Sequence, residues 1–320
     1  MPSFLKAAEL AALARLREGF LTGSNSGGGY WRDENDLALY DATFAERIGW
    51  KWDAVIADLA LRGWRPQSRN VIDFGCGSGV AGRRVLAMWD GFRALTLVDV
   101  SPLAVAFAAA RAGETFSEIS VSTEAPANAA DALLLVSHAI NELDASARDK
   151  LLALARTAAE IIWVESGTHA DSRALIAVRE ELRGEFAIVA PCTHGNACGM
   201  LAPENARHWC HHFARVPSDV SQDAGWSQFS RELGIDLTTL PYSYLVLTRS
   251  REQEAGAATR IIGTPREAKG RMELLCCDAD GVAEHTLQKR DEAALFKAIQ
   301  KGRADNVQRF RLSDGKLRTS

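Results

Sequence analysis

The stretch Val71-Ile72-Asp73-Phe74-Gly75-Cys76-Gly77-Ser78-Gly79 joins an apolar run to three glycines at alternate positions. The apolar run predicts a β-strand, and residues 80–89 have the apolar spacing of a helix. A second apolar run, residues 95–98, ends in Asp99. Glycines let the backbone approach a ligand closely, and the start of a helix offers unpaired N–H groups. The stretch therefore predicts a nucleoside-binding turn in which Asp99 accepts hydrogen bonds from ribose hydroxyls.

The glycine spacing separates two kinds of nucleotide site. A dinucleotide-binding turn has the pattern Gly-x-Gly-x-x-Gly, but here the third glycine comes one residue early and Val80 stands in its place. With Asp73 in the strand end, the spacing resembles the S-adenosylmethionine loop of class I methyltransferases; a nicotinamide site and a degenerate fold are the alternatives. The resemblance implies cofactor-site roles for Asp73, Gly75, Gly77, Gly79, Asp99, Val100 and Ser137. Among these, Asp73 is expected to support the loop or to meet the amino-acid part of the cofactor through water.

Strand-like and helix-like segments alternate from residue 70 to residue 190, which predicts a parallel sheet with crossover helices. We expect an α/β fold with the Rossmann-like sheet of a class I methyltransferase. Three domains are predicted. Residues 1–65 are an N-terminal helical segment. Residues 66–250 are the S-adenosylmethionine-binding methyltransferase domain, with a Cys-rich insertion at 191–217. Residues 251–320 are a small, basic, β-rich C-terminal module.

The composition is that of an ordinary globular protein: 320 residues, of which 47% are hydrophobic and 24% are charged. No apolar run approaches the roughly 18 residues of a membrane span, so no membrane partner is expected. No secretory signal is recognisable, and the expected location is the cytoplasm. The six cysteines are then kept reduced, which favours metal binding or packing over disulfides.

The net charge of −4 conceals an asymmetry between two parts of the chain. Residues 249–320 contain fifteen Lys and Arg against eleven Asp and Glu, whereas the rest of the chain contains 22 against 30. A basic appendage on an acidic core suits contact with nucleic acid. The alternative is a solvated surface of mixed charge, because the excess is small.

The insertion carries Cys192, Cys198 and Cys210 in a segment rich in Gly, Pro and His. Cys276 or Cys277 could supply a fourth thiolate. Four thiolates suit an iron–sulfur cluster or structural zinc. Three thiolates with one histidine suit zinc, and the candidates are His194, His208, His211 and His212. Buried free cysteines are the remaining alternative, because the first spacing is longer than usual.

Four stretches in order are similar to the ribosomal small-subunit methyltransferase-like family, whose mitochondrial members are small-subunit assembly factors: residues 71–79, 137–143, 163–168 and 190–211. Residues 275–281 give a weaker fifth match. The resemblance implies S-adenosylmethionine as cofactor and the small ribosomal subunit with its rRNA as partner. It also implies a four-cysteine iron–sulfur site (4Fe-4S) formed by Cys192, Cys198, Cys210 and Cys277. One departure is Ser166, where the family commonly has proline.

The segment after the fourth strand, residues 137–142, lacks the Asn/Asp-Pro-Pro-aromatic sequence of methyltransferases that act on exocyclic base nitrogens. This difference disfavours amino methylation of a flipped base. The candidate catalytic residues are His138, Asn141 and Glu142. Methyl transfer needs little acid–base help, because the sulfonium donor is already activated.

Two functions from different classes follow from these observations. The first is a methyltransferase that acts on small-subunit rRNA or on a bound protein. The second is a non-catalytic assembly factor that only binds S-adenosylmethionine and RNA. A methyltransferase for small metabolites is a distant third, since it would leave the insertion and the basic module without a purpose. The oligomeric state is left open.

Overall fold

The structure is a computed structural model that describes residues 4–22, 29–250, 258–313 and 316–319. Most of the Ser/Gly-rich loop at 22–29 and the first residues of the predicted C-terminal module, 251–257, therefore lie outside the described residues. The chain divides into two compact units. The first unit comprises Met1–Ser166 and Phe213–Tyr242, and the second comprises Gly167–His212 and Ser243–Ser320. These units are defined by packing, and the three sequence domains stay a prediction.

In chain order, the elements up to residue 166 are α1 (Ala7–Thr22), α2 (Glu34–Tyr40), a π-helical turn (Asp41–Ala45), α3 (Glu46–Leu61), β1 (Asn70–Phe74), α4 (Val80–Met88), β2 (Ala94–Val98), α5 (Pro102–Thr115), β3 (Ser120–Ser122), β4 (Ala132–Ser137), α6 (Ala145–Ala155) and β5 (Glu160–Ser166). The elements that follow are α7 (His169–Leu182), β6 (Ala187–Ala190), β7 (His212–Phe213), α8 (Ala224–Leu233), β8 (Pro241–Thr248), β9 (Thr259–Ala268), β10 (Arg271–Asp278), β11 (Gly281–Gln288), α9 (Ala293–Gln300), β12 (Val307–Gln308), β13 (Phe310–Ser313) and β14 (Lys316–Thr319).

The sheet of the first unit has the strand order β3-β2-β1-β4-β5, and each neighbouring pair is parallel. Residues 132–136 of β4 are buried without alternation, as expected for a strand covered on both faces. Phe74 lies opposite both Val98 and Val136 in the register. The carboxyl ends of β1, β2 and β4 therefore meet at one edge, where α/β proteins bind their ligands. The predicted α/β fold with a parallel sheet is confirmed.

The N-terminal segment is helical, as predicted, and its helices pack through aromatic side chains. The ring of Phe20 lies 4.9 Å from that of Tyr30 and 5.6 Å from that of Tyr40, measured between centroids. On α3 the buried side chains include Trp52, which is fully buried. Burial of this kind is worth roughly 2–3 kcal/mol per large apolar side chain. The N-terminal helices therefore share an apolar core, and this core fixes the position of α3.

In the second unit, β8 pairs antiparallel with β6. A separate sheet has the order β12-β9-β10-β11-β14-β13 and confirms the β-rich C-terminal part. The hairpin between β10 and β11 closes at Asp278 opposite Gly281. The first half of β9 is buried, whereas its outer half is exposed and lacks an apolar pattern. The core under this sheet is built by Ile261, Met272, Leu274, Cys276, Leu287, Phe296 and Leu317.

Within the described part of the chain, no helix combines the length and the apolar character needed to cross a membrane.

Candidate functional site

The glycine turn after β1 has a backbone conformation that suits glycine: φ is 68° at Gly75, 50° at Gly77 and 79° at Gly79. This left-handed region strains any residue that carries a Cβ. The N–H groups of Gly75 and Cys76 both donate to the Val98 carbonyl oxygen, at 2.7 and 3.0 Å. Gly79 is also the N-cap of α4 and offers no side-chain cap. The turn is thus bound to the end of β2 and presents the start of a helix to a ligand.

Asp99 connects the glycine turn to the start of α5. Its Oδ2 accepts a hydrogen bond from Gly77 N, and its Oδ1 accepts one from Ser101 N, both at 2.9 Å. Burial raises the pKa of the Asp99 carboxyl, and these backbone N–H groups oppose the rise. The next residue, Val100, exposes 74% of its surface. An oriented carboxylate and an exposed apolar side chain therefore lie side by side at the end of β2.

Asp73 has a different environment from Asp99, since its side chain is fully buried. Its Oδ2 accepts a hydrogen bond from Gly82 N at 2.9 Å, and among the described residues its buried Oδ1 has no partner. Burial raises the pKa of Asp73 from 3.8 to about 7. The geometry makes Asp73 a support for the first turn of α4.

The predicted residues Ser137 and His138 lie where β4 ends, which we call the strand-4 exit (residues 137–142). The Ser137 hydroxyl accepts a hydrogen bond from Trp52 Nε1 at 2.9 Å. His138 has a φ of 54°, and its N–H donates to the Val164 carbonyl at 2.8 Å. Lys51 Nζ lies 3.3 Å from His138 Nε2. Burial and then the charge of Lys51 lower the pKa of His138 well below its usual range, so the ring is neutral at pH 7.

Glu165 holds the backbone of the strand-4 exit through hydrogen bonds. This buried carboxylate accepts hydrogen bonds from Ala139 N at 3.2 Å, Ile140 N at 3.0 Å and Trp163 Nε1 at 2.6 Å. Ala139 in turn approaches the glycine turn, where a Cβ on Gly75 would lie 3.5 Å from the Ala139 Cβ. Sequence reasoning did not assign Glu165 to the site, although the family-like stretch 163–168 contains it.

Asn141 and Glu142, the other catalytic candidates, are exposed at the end of the strand-4 exit. Desolvation by surrounding protein atoms raises the pKa of Glu142, the Tyr30 hydroxyl opposes the rise, and the charge of Asp99 adds to it. Burial and the charge of Glu142 raise the pKa of Tyr30 to about 12. Tyr30 was not predicted as a site residue, because nothing in its sequence neighbourhood connects it with Glu142.

The four cysteines assigned from the family resemblance line one cavity of about 40 Å³ in the second unit. They are Cys192, Cys198, Cys210 and Cys277. Burial, followed by the charges of the neighbouring thiols, raises the pKa of Cys210 to about 12. The same two causes raise the pKa of Cys277. Cys276 instead packs in the core of the C-terminal sheet, because neighbouring residues of a strand point to opposite faces.

Of the four candidate histidines, two lie near cysteine sulfur atoms and two contact other side chains. His194 Nε2 lies 3.7 Å from Cys277 Sγ, and His212 Nε2 lies 3.8 Å from Cys210 Sγ. His208 instead faces Glu284 at 3.7 Å, and His211 stacks on Trp209 at 4.7 Å between ring centroids. Among the residues that the structure describes, no group of three or more His, Cys, Asp or Glu side chains is arranged to hold a metal ion.

Two arginines of α7 hold the cysteine-bearing segment. Arg179 is buried, and its Nε donates to Cys192 Sγ at 3.3 Å. Its Nη2 donates to the carbonyls of His194 at 3.3 Å and Asn196 at 2.8 Å. Arg173 Nη2 donates to the carbonyls of Met200 (3.1 Å), Asn205 (2.7 Å) and His208 (3.0 Å). The two arginines of α7 therefore hold both halves of the segment.

The basic residues of the C-terminal sheet are partly neutralised. Arg266 pairs with Glu284 at 2.8 Å, and Arg271 lies 3.4 Å from Glu273. Lys269 is exposed in the turn between β9 and β10. Exposed ion pairs are worth about 0–1 kcal/mol, so these arginines can exchange their partners for phosphates at little cost.

A protein-family model, described as mitochondrial small ribosomal subunit Rsm22, matches residues 46–306. The chain belongs to the Rsm22 family. The matched range contains the glycine turn, the strand-4 exit and the four cysteines at the cavity. The family resemblance predicted from the sequence is thereby confirmed. No curated protein sequence matches this Rsm22-family chain.

Solved structures of methyltransferases resemble the Rsm22-family chain weakly. Magnesium protoporphyrin IX methyltransferase of Synechocystis PCC 6803, with bound S-adenosylmethionine, is 14% identical with a TM-score of 0.40, over 78% of this chain and 100% of that chain. The plantazolicin methyltransferase BamL is 10% identical with a TM-score of 0.38, over 73% and 98%. An S-adenosylmethionine-dependent methyltransferase of Leishmania major is 12% identical with a TM-score of 0.38, over 73% and 82%. The observed strand order and the family match carry the assignment of the fold.

Asp73 should make the stability of the protein depend on pH. Its pKa is about 7 in the folded state and 3.8 as the ordinary value, so the folded protein binds the proton more tightly. The stabilisation is then complete below about pH 4 and is lost as the pH rises through 7, by about 4 kcal/mol for a shift of this size. We expect Asp73→Asn to lose this dependence in chemical denaturation measured across that range. The exposed Asp149→Asn should keep the wild-type slope, and parallel curves for both variants would contradict the assignment.

Proposed function

We propose that this Rsm22-family chain binds S-adenosylmethionine at the carboxyl edge of the first-unit sheet, and that it acts on or binds the small ribosomal subunit and its rRNA. The observation that carries the proposal is the meeting of the glycine turn, Asp99 and the strand-4 exit at one edge. The family description supplies the small ribosomal subunit as the expected partner.

The cofactor contacts follow from which polar groups remain accessible. The backbone of Gly75, Gly77 and Gly79 would contact the cofactor. Asp99 would accept hydrogen bonds from two ribose hydroxyls with the lone pairs that its backbone partners leave available. Val100 offers an exposed apolar surface for the adenine ring. Ser137 already accepts a hydrogen bond from Trp52, so its own hydroxyl proton is left to donate. Asp73, which we also predicted as a cofactor contact, acts through α4 because it is fully buried.

Bound S-adenosylmethionine supplies a methyl group on an activated sulfonium. The residues of this chain have to align an acceptor with that methyl group and exclude water. Glu165 accepts hydrogen bonds from the backbone of Ala139 and Ile140. This fixes the conformation of the segment that the acceptor would contact. His138, Asn141 and Glu142 are the side chains that can contact the acceptor. The ring of His138 is a weak base beside Lys51, so its part would be to position the acceptor and not to take up a proton.

The cysteine cavity fits an iron–sulfur cluster (4Fe-4S) or a zinc ion in the number and the kind of its donors. Cys192, Cys198, Cys210 and Cys277 would hold the group. A bound cluster or zinc would supply a cross-link between the insertion and strand β10. Arg179 donates to Cys192, and it can balance the negative charge of the thiolates.

The C-terminal sheet supplies the surface on which we propose that rRNA binds. The excess of Lys and Arg in residues 249–320 supports this placement. Lys269 and Arg290 are exposed there, with Arg290 3.7 Å from Asp291. A phosphate of the RNA would compete with Asp291 for the Arg290 side chain.

A second candidate function is that of a non-catalytic assembly factor that binds S-adenosylmethionine and RNA. The observation in its favour is that polar groups at the strand-4 exit are already engaged with the protein. Ser137 is bonded to Trp52, Glu165 to backbone N–H groups, and His138 contacts Lys51. Such a segment can be rigid for structural reasons alone.

The cofactor assignment predicts the effect of removing the Asp99 carboxylate. Asp99→Ala deletes charged hydrogen bonds to the ribose, which should cost roughly 1.5–3 kcal/mol of binding free energy. Calorimetric titration with S-adenosylmethionine should therefore show an affinity lower by about one to two orders of magnitude. The exposed Asp90→Ala in the same unit should bind like the wild type. Unchanged affinity in a folded Asp99→Ala variant would reject this ribose site.

Methyl transfer itself is tested with labelled S-adenosylmethionine and immature small ribosomal subunits. Label in rRNA or in a subunit protein, absent with Asp99→Ala, is the result expected for the enzyme. Co-sedimentation with the subunit and no label is the result expected for the assembly factor. A chain that neither labels nor co-sediments would contradict both candidates.

The metal proposal predicts the colour of the protein. Protein purified without oxygen should be brown with a broad absorbance shoulder, and Cys192→Ser should abolish it, because a four-iron cluster then lacks one of its four thiolate ligands. Cys276→Ala is the matched control, since Cys276 faces the apolar core and not the cavity. Elemental analysis that finds neither iron nor zinc in the anaerobic protein would reject the whole site.

A further inference from the structure

A group of positive side chains lies beside the strand-4 exit and has no part in the function proposed so far. Arg47 and Lys51 are one helical turn apart on α3, so they share a face of that helix. Lys51 is buried to 8% exposure, and its Nζ lies 3.3 Å from His138 Nε2. Because an ammonium group can only donate, the ring nitrogen is the acceptor in this contact.

The arrangement brings two positive charges to one face of α3. Like charges four residues apart on a helix repel one another. Burial and the charge of Arg17 both lower the pKa of Arg47, and only Asp236 opposes them. The Asp236 carboxylate is itself occupied by the hydroxyls of Thr238 and Thr239.

Arg47 also retains a donor that the protein does not use. Its Nη2 donates to the carbonyl oxygen of Asp236 at 3.0 Å. Its Nε is buried, and among the described residues it has no hydrogen-bond partner. A buried donor without an acceptor is destabilising, and an oxyanion that accepts its hydrogen bond would remove that cost.

The backbone conformation of His138 supports a binding role for the group formed by Arg47, Lys51 and His138. His138 has a positive φ, which is strained for a residue with a Cβ, and such residues concentrate at binding sites. Its ring lies against Lys51 at the strand-4 exit. Ala139, the next residue, lies against Gly75 of the glycine turn. The positive group is therefore a neighbour of the proposed cofactor site.

We propose that Arg47 and Lys51 form an oxyanion-binding pocket beside the glycine turn, in which the contact with His138 orients Lys51. The proposal rests on the proposed function, since it completes the same cleft. A carboxylate or a phosphate has the required chemistry, because each accepts several charged hydrogen bonds. The carboxylate of the cofactor's amino-acid part and a phosphate of an RNA acceptor are the two sources.

The test compares three ligands on the full chain: S-adenosylhomocysteine, methylthioadenosine, which lacks the amino-acid part, and a short single-stranded RNA. The variants are Arg47→Gln and Lys51→Gln, with Lys51→Arg as the rescue that keeps the charge. Lys150→Gln, an exposed site on α6, removes the same charge elsewhere in the first unit. Thermal unfolding confirms that each variant is folded. If Lys51→Gln does not fold, Arg47→Gln carries the comparison.

A loss of about tenfold or more for S-adenosylhomocysteine, with methylthioadenosine unchanged, supports the pocket with the cofactor carboxylate as its ligand. If the affinities for both nucleosides are unchanged but RNA binds more weakly, the pocket is supported with an acceptor phosphate as its ligand. The slope of RNA affinity against salt concentration, on logarithmic scales, should then be flatter by roughly one unit. Unchanged binding of all three ligands overturns the pocket, and so does an equal loss for methylthioadenosine, which would indicate a disturbed cleft. Failure of the wild type to bind either nucleoside would instead reject the proposed cofactor site.

Discussion

Two hydrogen bonds to one carbonyl oxygen determine the geometry on which the rest of the first unit depends. The Val98 carbonyl accepts from both Gly75 N and Cys76 N, so the chain leaving β1 must turn sharply against the end of β2. Only glycine makes that left-handed turn without strain. Asp99 then follows Val98 directly and receives the N–H of Gly77. Placement of the helix start and the carboxylate at one edge follows from this constraint, and the register of β4 beside β1 brings the strand-4 exit to the same edge.

Buried carboxylates stabilise this edge from inside the protein. Asp73 accepts from the first turn of α4, and Glu165 accepts from the two residues that begin the strand-4 exit. Glu160, at the opposite end of β5, accepts from the N–H groups of Gln67 and Ser68 at 3.0 Å. A buried carboxylate is tolerated where several donors satisfy it, as at Glu160 and Glu165, and removing such donors is costly. Asp73 differs, because one of its oxygens has no partner among the described residues and its raised pKa favours the protonated form. The polar groups that position the site are thus also groups that stabilise the fold.

The second unit orders its cysteines by a different device. Arginines 173 and 179 of α7 donate to carbonyl oxygens along the insertion, so a segment without regular secondary structure is held at both of its halves. The guanidinium of Arg179 supplies both geometry and positive charge beside Cys192. Planar groups with several donors are suited to this double role, and lysine would not replace them. The four thiols share one cavity that these arginines help to shape.

The sequence by itself determined the glycine turn, its acid at Asp99, the parallel α/β sheet and the family, because each depends on local spacing or on short stretches of residues. It left Cys276 and Cys277 as equal candidates until the resemblance chose between them, because alternation along a strand separates the faces of a sheet without saying which face is the core. The contacts of His138 with Lys51, of Glu165 with Ala139 and of Arg179 with Cys192 were not predictable. Only the tertiary structure decided them, because each joins side chains or backbone groups from different elements, and hydrogen bonds between such groups leave no periodic trace in a sequence.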